Sequence, residues 1–350
     1  MNASYITVII ILVNIIMTLT KKRLNKIKNK NKNTKKNKHG AYNLVYMAKP
    51  SYGGWVSFTA HLSNKFKYPL YKIGNNSESK KRPFGYDIEY QNITIEDLIK
   101  LPNLLITCID KKYYEYLPKI KNATIVIHDP TELKEPVLEC LKRFKIITIR
   151  DTVSKLLKSQ YNLDNKFLYH PFYEFPKFFD KKINQKKLKA ISLSRVDFDK
   201  HTDIIINAND KLKGHPTQID IYGAVNDLYV YHKLRDTNFK RYYKGKFPKT
   251  FEAINDLLSD CKYIVDMSAI KKDGGGSQYT FLEAIYMDCA LILNKKWVDG
   301  VKTPFKDKHN CFIVSNDEEL TTLLKSNPNT SNICKNAKEL LKNHIRNGGW

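Results

Sequence analysis

Short apolar runs of strand length, each followed by a stretch of helical period, recur along this chain in two successive series. The first has strands at Asn43–Met47, Leu104–Cys108, Thr124–Ile127 and Lys145–Ile149, and helix-like pieces at Trp55–Leu62, Ile95–Leu101, Val137–Phe144 and Thr152–Ser159. A run that is apolar throughout, rather than alternately, is buried on both faces, as in parallel strands covered by helices. The pattern stops at Pro171–Lys187, where prolines, aromatics and lysines show neither period, as expected of an interdomain linker. It restarts with strands at Leu188–Leu193, Gln218–Tyr222, Tyr263–Met267, Ala290–Leu293 and Cys311–Val314. Helices are expected at Thr202–Lys211, Phe251–Asp260, Asn316–Leu324 and Thr330–Ile345. Together these predict an α/β protein of two Rossmann-like domains, residues 42–177 and 188–350, facing a cleft.

The chain before the first strand is of another kind. Residues 1–20 carry no charged side chain and Tyr5–Leu19 is nearly all apolar; as a helix, twenty residues reach roughly 30 Å, enough to span a hydrocarbon core. The abrupt basic stop favours a membrane anchor, with the folded body on the cytoplasmic side. A secretory signal is disfavoured, because no positive region precedes the run and no small-residue cleavage site follows. A non-native extension from a misplaced start codon stays open, and would leave a cytoplasmic protein. Residues 21–41 read as a disordered linker: Lys21–His39 holds ten Lys or Arg and no acid, a charge suited to anionic lipid. The formal charge of +25 falls to about +15 without those ten, so an anionic partner is still favoured: nucleotide phosphate, nucleic acid or membrane lipid. Six scattered cysteines, with no CxxC and no Cys/His pair at zinc spacing, read as buried thiols in a reducing compartment.

Candidate chemistry clusters where strands end. Asp273 to Leu293, DGGGSQYTFLEAIYMDCALIL, reads as glycine loop, helix and buried strand. A glycine loop opening a helix offers unpaired backbone N–H groups and the positive end of the macrodipole, which suits phosphate; a tight turn needing glycine for backbone reasons is the bland alternative. The strand ending at Leu193 is followed by Ser194-Arg195-Val-Asp-Phe-Asp-Lys200, in which Arg by its fork and Lys as a point charge would hold two phosphates. Taken alone, that loop reads first as a solvated basic loop; its place before a helix, with a glycine loop after another strand of the same sheet, favours phosphate. Tyr222-Gly223 ends another strand and would approach a base, or simply turn. His128-Asp129 ends Ile125–Ile127 and would face the cleft from the first domain, His128 as a hydrogen-bonding group and Asp129 as an acid or base, or as an Asp–Pro turn. Gly53-Gly54 opens the first helix but lacks GxGxxG spacing. His61, on an apolar helix, reads as structural.

In this order the motifs resemble those of GT-B glycosyltransferases, close to the retaining family 4 type. That family has a strand ending in Gly-Arg with Lys five residues on, here Ser194-Arg195 and Lys200. Its E-G-F-G-x-x-x-L-E-A segment corresponds to Gly275-Gly-Ser-Gln-Tyr-Thr-Phe-Leu-Glu283-Ala284, and its Asn-Gly-hydrophobic strand to His309-Asn310-Cys-Phe-Ile-Val314. The resemblance covers residue 42 to about 345 and implies an acceptor domain followed by a nucleotide-sugar donor domain, acting with retention and without bound metal. It implies that Arg195 and Lys200 grip the donor diphosphate and stabilise the leaving group. Glu283 would accept from the ribose hydroxyls, and backbone from Gly275 and Gly276 through Ser277, Gln278, Tyr279 and Thr280 would meet the diphosphate. Tyr222 and Gly223 would lie by the base, His128 by the transferred sugar, and Gly53 and Gly54 would admit donor or acceptor closely. One departure is plain: Gly275 stands where the family has its first glutamate, and Asp273 is the nearest substitute. The donor would be a UDP- or GDP-sugar, the acceptor a glycan, lipid, protein or DNA. The competing expectation is a catalytically silent GT-B-like module binding nucleic acid or membrane through its basic surface.

Overall fold

The computed structural model describes residues 42–48, 53–74, 84–176, 188–246, 250–269, 276–346 and 349–350. The apolar segment 1–20 and the linker 21–41 lie outside them. Among the described residues no helix is long and apolar enough to cross a membrane.

Two parallel sheets carry the fold. The first comprises β1 (Asn43–Met47), β2 (Leu70–Ile73), β3 (Gln91–Ile93), β4 (Leu104–Ile109), β5 (Ala123–Ile127), β6 (Lys145–Thr148) and β7 (Lys166–Phe167), in the order β3-β2-β1-β4-β5-β6-β7. The second comprises β8 (Lys189–Leu193), β9 (Ile219–Tyr222), β10 (Tyr243–Gly245), β11 (Cys261–Asp266), β12 (Ala290–Asn294) and β13 (Phe312–Val314), in the order β10-β9-β8-β11-β12-β13. The longer helices of the first half are α1 (Gly54–Phe66), α2 (Glu135–Leu141) and α3 (Asp151–Tyr161). Those of the second are α4 (Thr202–Lys211), α5 (Phe251–Ser259), α6 (Tyr279–Tyr286), α7 (Asp317–Ser326) and α8 (Ser331–Ile345). The continuous apolar runs became the central strands: every residue of β4 and of β12 is buried.

In each sheet the strand order reverses direction beside the first strand. That switch lies between β1 and β4 in the first sheet and between β8 and β11 in the second. Loops leaving two such neighbours diverge to opposite faces and open a crevice at the carboxyl edge, where ligands of open α/β sheets bind. The loops carrying Gly53 and Arg195 are therefore the ones that flank these crevices.

The two halves are packed together. One apolar cluster runs through both, from Leu44, Phe58 and Val126 to Phe281, Leu291 and Trp297. The stretch after β7 is irregular yet buried, with Phe172 and Phe175 at 1% and 0% exposure. Its backbone carbonyls pin α6, since Tyr279 Oη donates to Pro171 O at 3.0 Å and Tyr286 Oη to Phe175 O at 2.7 Å. Helix α8 returns to the first half, where His344 O accepts from Lys65 Nζ at 2.9 Å and Trp350 packs edge-on against Phe58. All six cysteines are buried.

Candidate functional site

The switch point of the second sheet is built from three loops. After β8, Asp197 starts a short turn by accepting from Phe198 N, and the turn Phe198–Lys200 carries Lys200 inward. Lys200 is 8% exposed and its Nζ donates to Ser268 Oγ at 2.8 Å, with Asp199 at 3.7 Å. Ser268 follows β11, and Ala269 N donates to Asp199 O at 2.9 Å, so the loops after β8 and β11 are laced together. Arg195 stays out in solvent, its side chain 60% exposed, paired with Asp197 at 2.9 Å and Asp199 at 3.4 Å. Both cations thus sit on carboxylates. The exposed pairs of Arg195 are worth about 0–1 kcal/mol, so a phosphate can displace them at little cost.

The third loop fixes the other two. Gly223, just past β9, has φ +153° and lies so close to β8 that a Cβ there would stand 1.9 Å from Ser194 O. Only glycine fits, and the contact seats Ser194-Arg195 against Tyr222-Gly223. Gly223 is itself held, its N donating to Gly245 O at 3.1 Å and its O accepting from Tyr243 Oη at 2.7 Å.

Helix α6 opens beside this crevice. No side chain caps its start and no acid occupies its first turn, which leaves the first amides without a side-chain cap. A Cβ at Gly276 would meet nothing within 4 Å. Thr280 Oγ1 lies 3.5 Å from Leu193 O, which sets the helix start against the end of β8. Asp273 and Gly275 lie outside the described residues.

Glu283 points away from that opening. It is 1% exposed, and its Oε1 accepts from Tyr86 Oη at 2.6 Å and lies 3.4 Å from His61 Nε2. Because His61 Nδ1 accepts from Tyr173 N at 3.0 Å, the imidazole proton is on Nε2 and faces the carboxylate. His61 is stacked between Phe172 and Tyr279, with ring centroids 4.9 and 4.4 Å away. Glu283 is therefore a tie between the two halves.

On the first sheet, Gly53 has φ +103° and ψ −173°, a conformation essentially restricted to glycine, and Gly54 is open to solvent. His128 is 6% exposed and its Nε2 donates to Thr107 O at 2.7 Å. Burial holds its imidazole down at about 4, so it is neutral near pH 7. With Nε2 donating, Nδ1 is an acceptor, the right polarity for a sugar hydroxyl. Asp129 takes the turn role, accepting from Thr131 N at 2.9 Å.

Solved structures share this architecture. An alpha-glucosyltransferase solved with UDP has a TM-score of 0.64 at 14% identity, over 87% of this chain and 96% of that one. Anabaena HepE, solved with UDP and glucose, gives 0.59 at 13%, over 87% and 95%. A glycosyltransferase from Rickettsia africae ESF-5 gives 0.58 at 13%, over 88% and 95%. The chain has the GT-B fold. At these identities the likeness is one of fold; no protein-family model matches the sequence, and no curated protein does.

At the carboxyl ends of the strands, Arg195 and Lys200 follow β8, Tyr222-Gly223 closes β9 and the start of α6 lies against the end of β8, while Gly53-Gly54 follows β1 and His128 follows β5. Sequence reading missed Ser268, Asp199 and Glu132. Asp199 sits in the Ser194–Lys200 loop already singled out, and Ser268 directly follows the strand ending at Met267. Glu132 was signalled only by following His128-Asp129-Pro130 at a strand end.

Proposed function

We propose that this chain is a glycosyltransferase that transfers a sugar from a nucleotide-diphosphate sugar, with retention and without a bound metal. The observation that supports this reading is at the second switch point: Arg195 and Lys200 follow β8, and the uncapped start of α6 is set against the end of the same strand. In this reading three kinds of phosphate ligand serve one diphosphate: a guanidinium fork, an ammonium and helix-terminal amides. Because two solved structures of the same fold hold UDP, a UDP-sugar is the first donor to consider. In this reading residues 42–177 are the acceptor domain and 188–350 the donor domain. Residues 1–20 would anchor the chain to a membrane, the body lying in the cytoplasm. Departure of the nucleoside diphosphate leaves charge on its terminal phosphate, and Arg195 and Lys200 neutralise it as it forms. The test is incubation with a panel of UDP- and GDP-sugars. A donor should be hydrolysed or transferred, and Arg195→Ala should lower that rate by about a hundredfold. No turnover of any donor, or turnover indifferent to Arg195→Ala, would sink the proposal.

One observation favours a second reading, a GT-B-like binding module without turnover. The carboxylate expected on the ribose, Glu283, is spent on Tyr86 and His61. Such a module would bind DNA, RNA or anionic vesicles with a steep salt slope, unchanged in Arg195→Ala.

A further inference from the structure

A carboxyl outside the donor loops is buried where the first sheet meets its own crevice. Glu132 is 3% exposed, and each of its oxygens accepts one N–H: Oε1 from the Trp55 indole at 2.8 Å, Oε2 from the His128 backbone at 2.9 Å. The donors come from different elements, Trp55 from the first turn of α1 just past Gly53-Gly54, and His128 from the end of β5. The same elements are tied again through β4. Thr59 Oγ1 lies 2.9 Å from Trp55 O and 2.8 Å from Thr107 Oγ1, and Thr107 O accepts from His128 Nε2 at 2.7 Å. The Trp55 and His128 rings are held 6.4 Å apart at 60°.

We infer that Glu132 is a positioning residue for transfer: its carboxylate clamps Trp55 to His128 and so fixes the wall of the acceptor-side crevice. The role in transfer rests on the glycosyltransferase reading; the clamp does not. A carboxylate suits the place because it offers an acceptor on each side, whereas a glutamine would turn an NH₂ toward one of the two N–H donors. The groups facing it are Asp129 at the head of its own turn, His128 just past β5, Cys108 on β4, Tyr114 after β4, and Arg150 after β6. Burial, then Asp129, push its carboxyl up to about 8, against the pull of the His128 amide, Trp55 and Arg150. Protonation turns one of the two acceptors into a hydroxyl, so the clamp tightens as pH rises through that value.

The experiment is a nitrogen–proton NMR titration of the indole groups of the full chain. There are three tryptophans, and Trp55→Phe assigns the resonance in question. In the unaltered protein the Trp55 indole signal should shift with a midpoint near pH 8, and in Glu132→Gln it should not. A Trp55 signal that stays fixed over this range, or moves alike in Glu132→Gln, overturns the clamp. The measurement on unaltered protein decides this even if Glu132→Gln does not fold. With a donor that is turned over, Glu132→Gln should cut kcat by about tenfold or more, leave donor KM within about twofold and abolish the rise of kcat through pH 8. An unchanged kcat overturns the positioning role. An indole that titrates in a protein that turns over no donor keeps the clamp and retires its role in transfer along with the glycosyltransferase reading.

Discussion

Gly223 shows how single residues hold the donor loops. Its backbone lies where any side chain would enter the Ser194 carbonyl, and its φ of +153° is outside the range of other residues. Gly223→Ala is therefore expected to cost about 2 kcal/mol or more of unfolding free energy and to displace Arg195, which denaturant unfolding and a UDP titration would check. A midpoint unchanged from the parent protein would contradict the packing described. Glu283 makes the complementary point. Its residue type and helix were legible from LEA, but its partner was not: Tyr86 lies far back in the sequence, and no local pattern connects them. Glu283→Gln keeps the volume and exchanges the charged acceptor for a neutral one, so a loss of about 1–3 kcal/mol is expected. If Glu283 instead serves mainly a ribose, stability would be unchanged and only donor binding would fall.

At the scale of elements, legibility followed burial. The central strands β1, β4, β5, β11 and β12 each carry a run of buried, mostly apolar residues, and they were plain in the sequence. The outer strands β2, β3, β7 and β10 are short and half in solvent, carry mixed residues such as Leu-Tyr-Lys-Ile, and gave no such run. The π-helical turn Val230–Leu234 also left no periodic trace. Helix α6 was legible because a glycine loop precedes an apolar-periodic segment. What fixes it in place was not, since its tyrosines bond to carbonyls of the irregular stretch before the second sheet. Tyr286→Phe removes one of those bonds and is expected to lower stability by about 1 kcal/mol, with Tyr279→Phe similar. Denaturant unfolding of the two single variants and the double variant would read this out. Strict additivity is not expected, because both hydroxyls pin the same helix to the same segment.

The whole molecule should be most stable near pH 6.5, for reasons set by its buried titratable groups. Burial lowers His128 and His344 to about 4 and His170 well below its ordinary value. Stability from these groups is present above their unfolded value of about 6.5 and is lost as pH falls toward 4, by up to about 3 kcal/mol for His128. Glu132 acts in the opposite sense. Its pKa is raised to about 8, so its contribution is full below the unfolded value near 4.5 and declines as pH climbs to 8. Between 4.5 and 6.5 these histidines outnumber it, and above 6.5 Glu132 pulls stability down. Melting temperatures across pH 4–8 would check both arms, and Glu132→Gln should flatten the upper one.

The GT-B reading itself turns on whether the second crevice takes a nucleoside diphosphate. Arg195 is the residue to alter, because its exposed side chain can be removed without unsettling the core. Calorimetric titration of UDP into the parent protein and into Arg195→Ala is the direct measurement. The expected result is a saturable site in the parent, weakened about tenfold to a hundredfold in the variant, as loss of a charge-assisted bond to phosphate requires. No heat of binding in the parent, or equal affinity in the two proteins, would contradict the donor site.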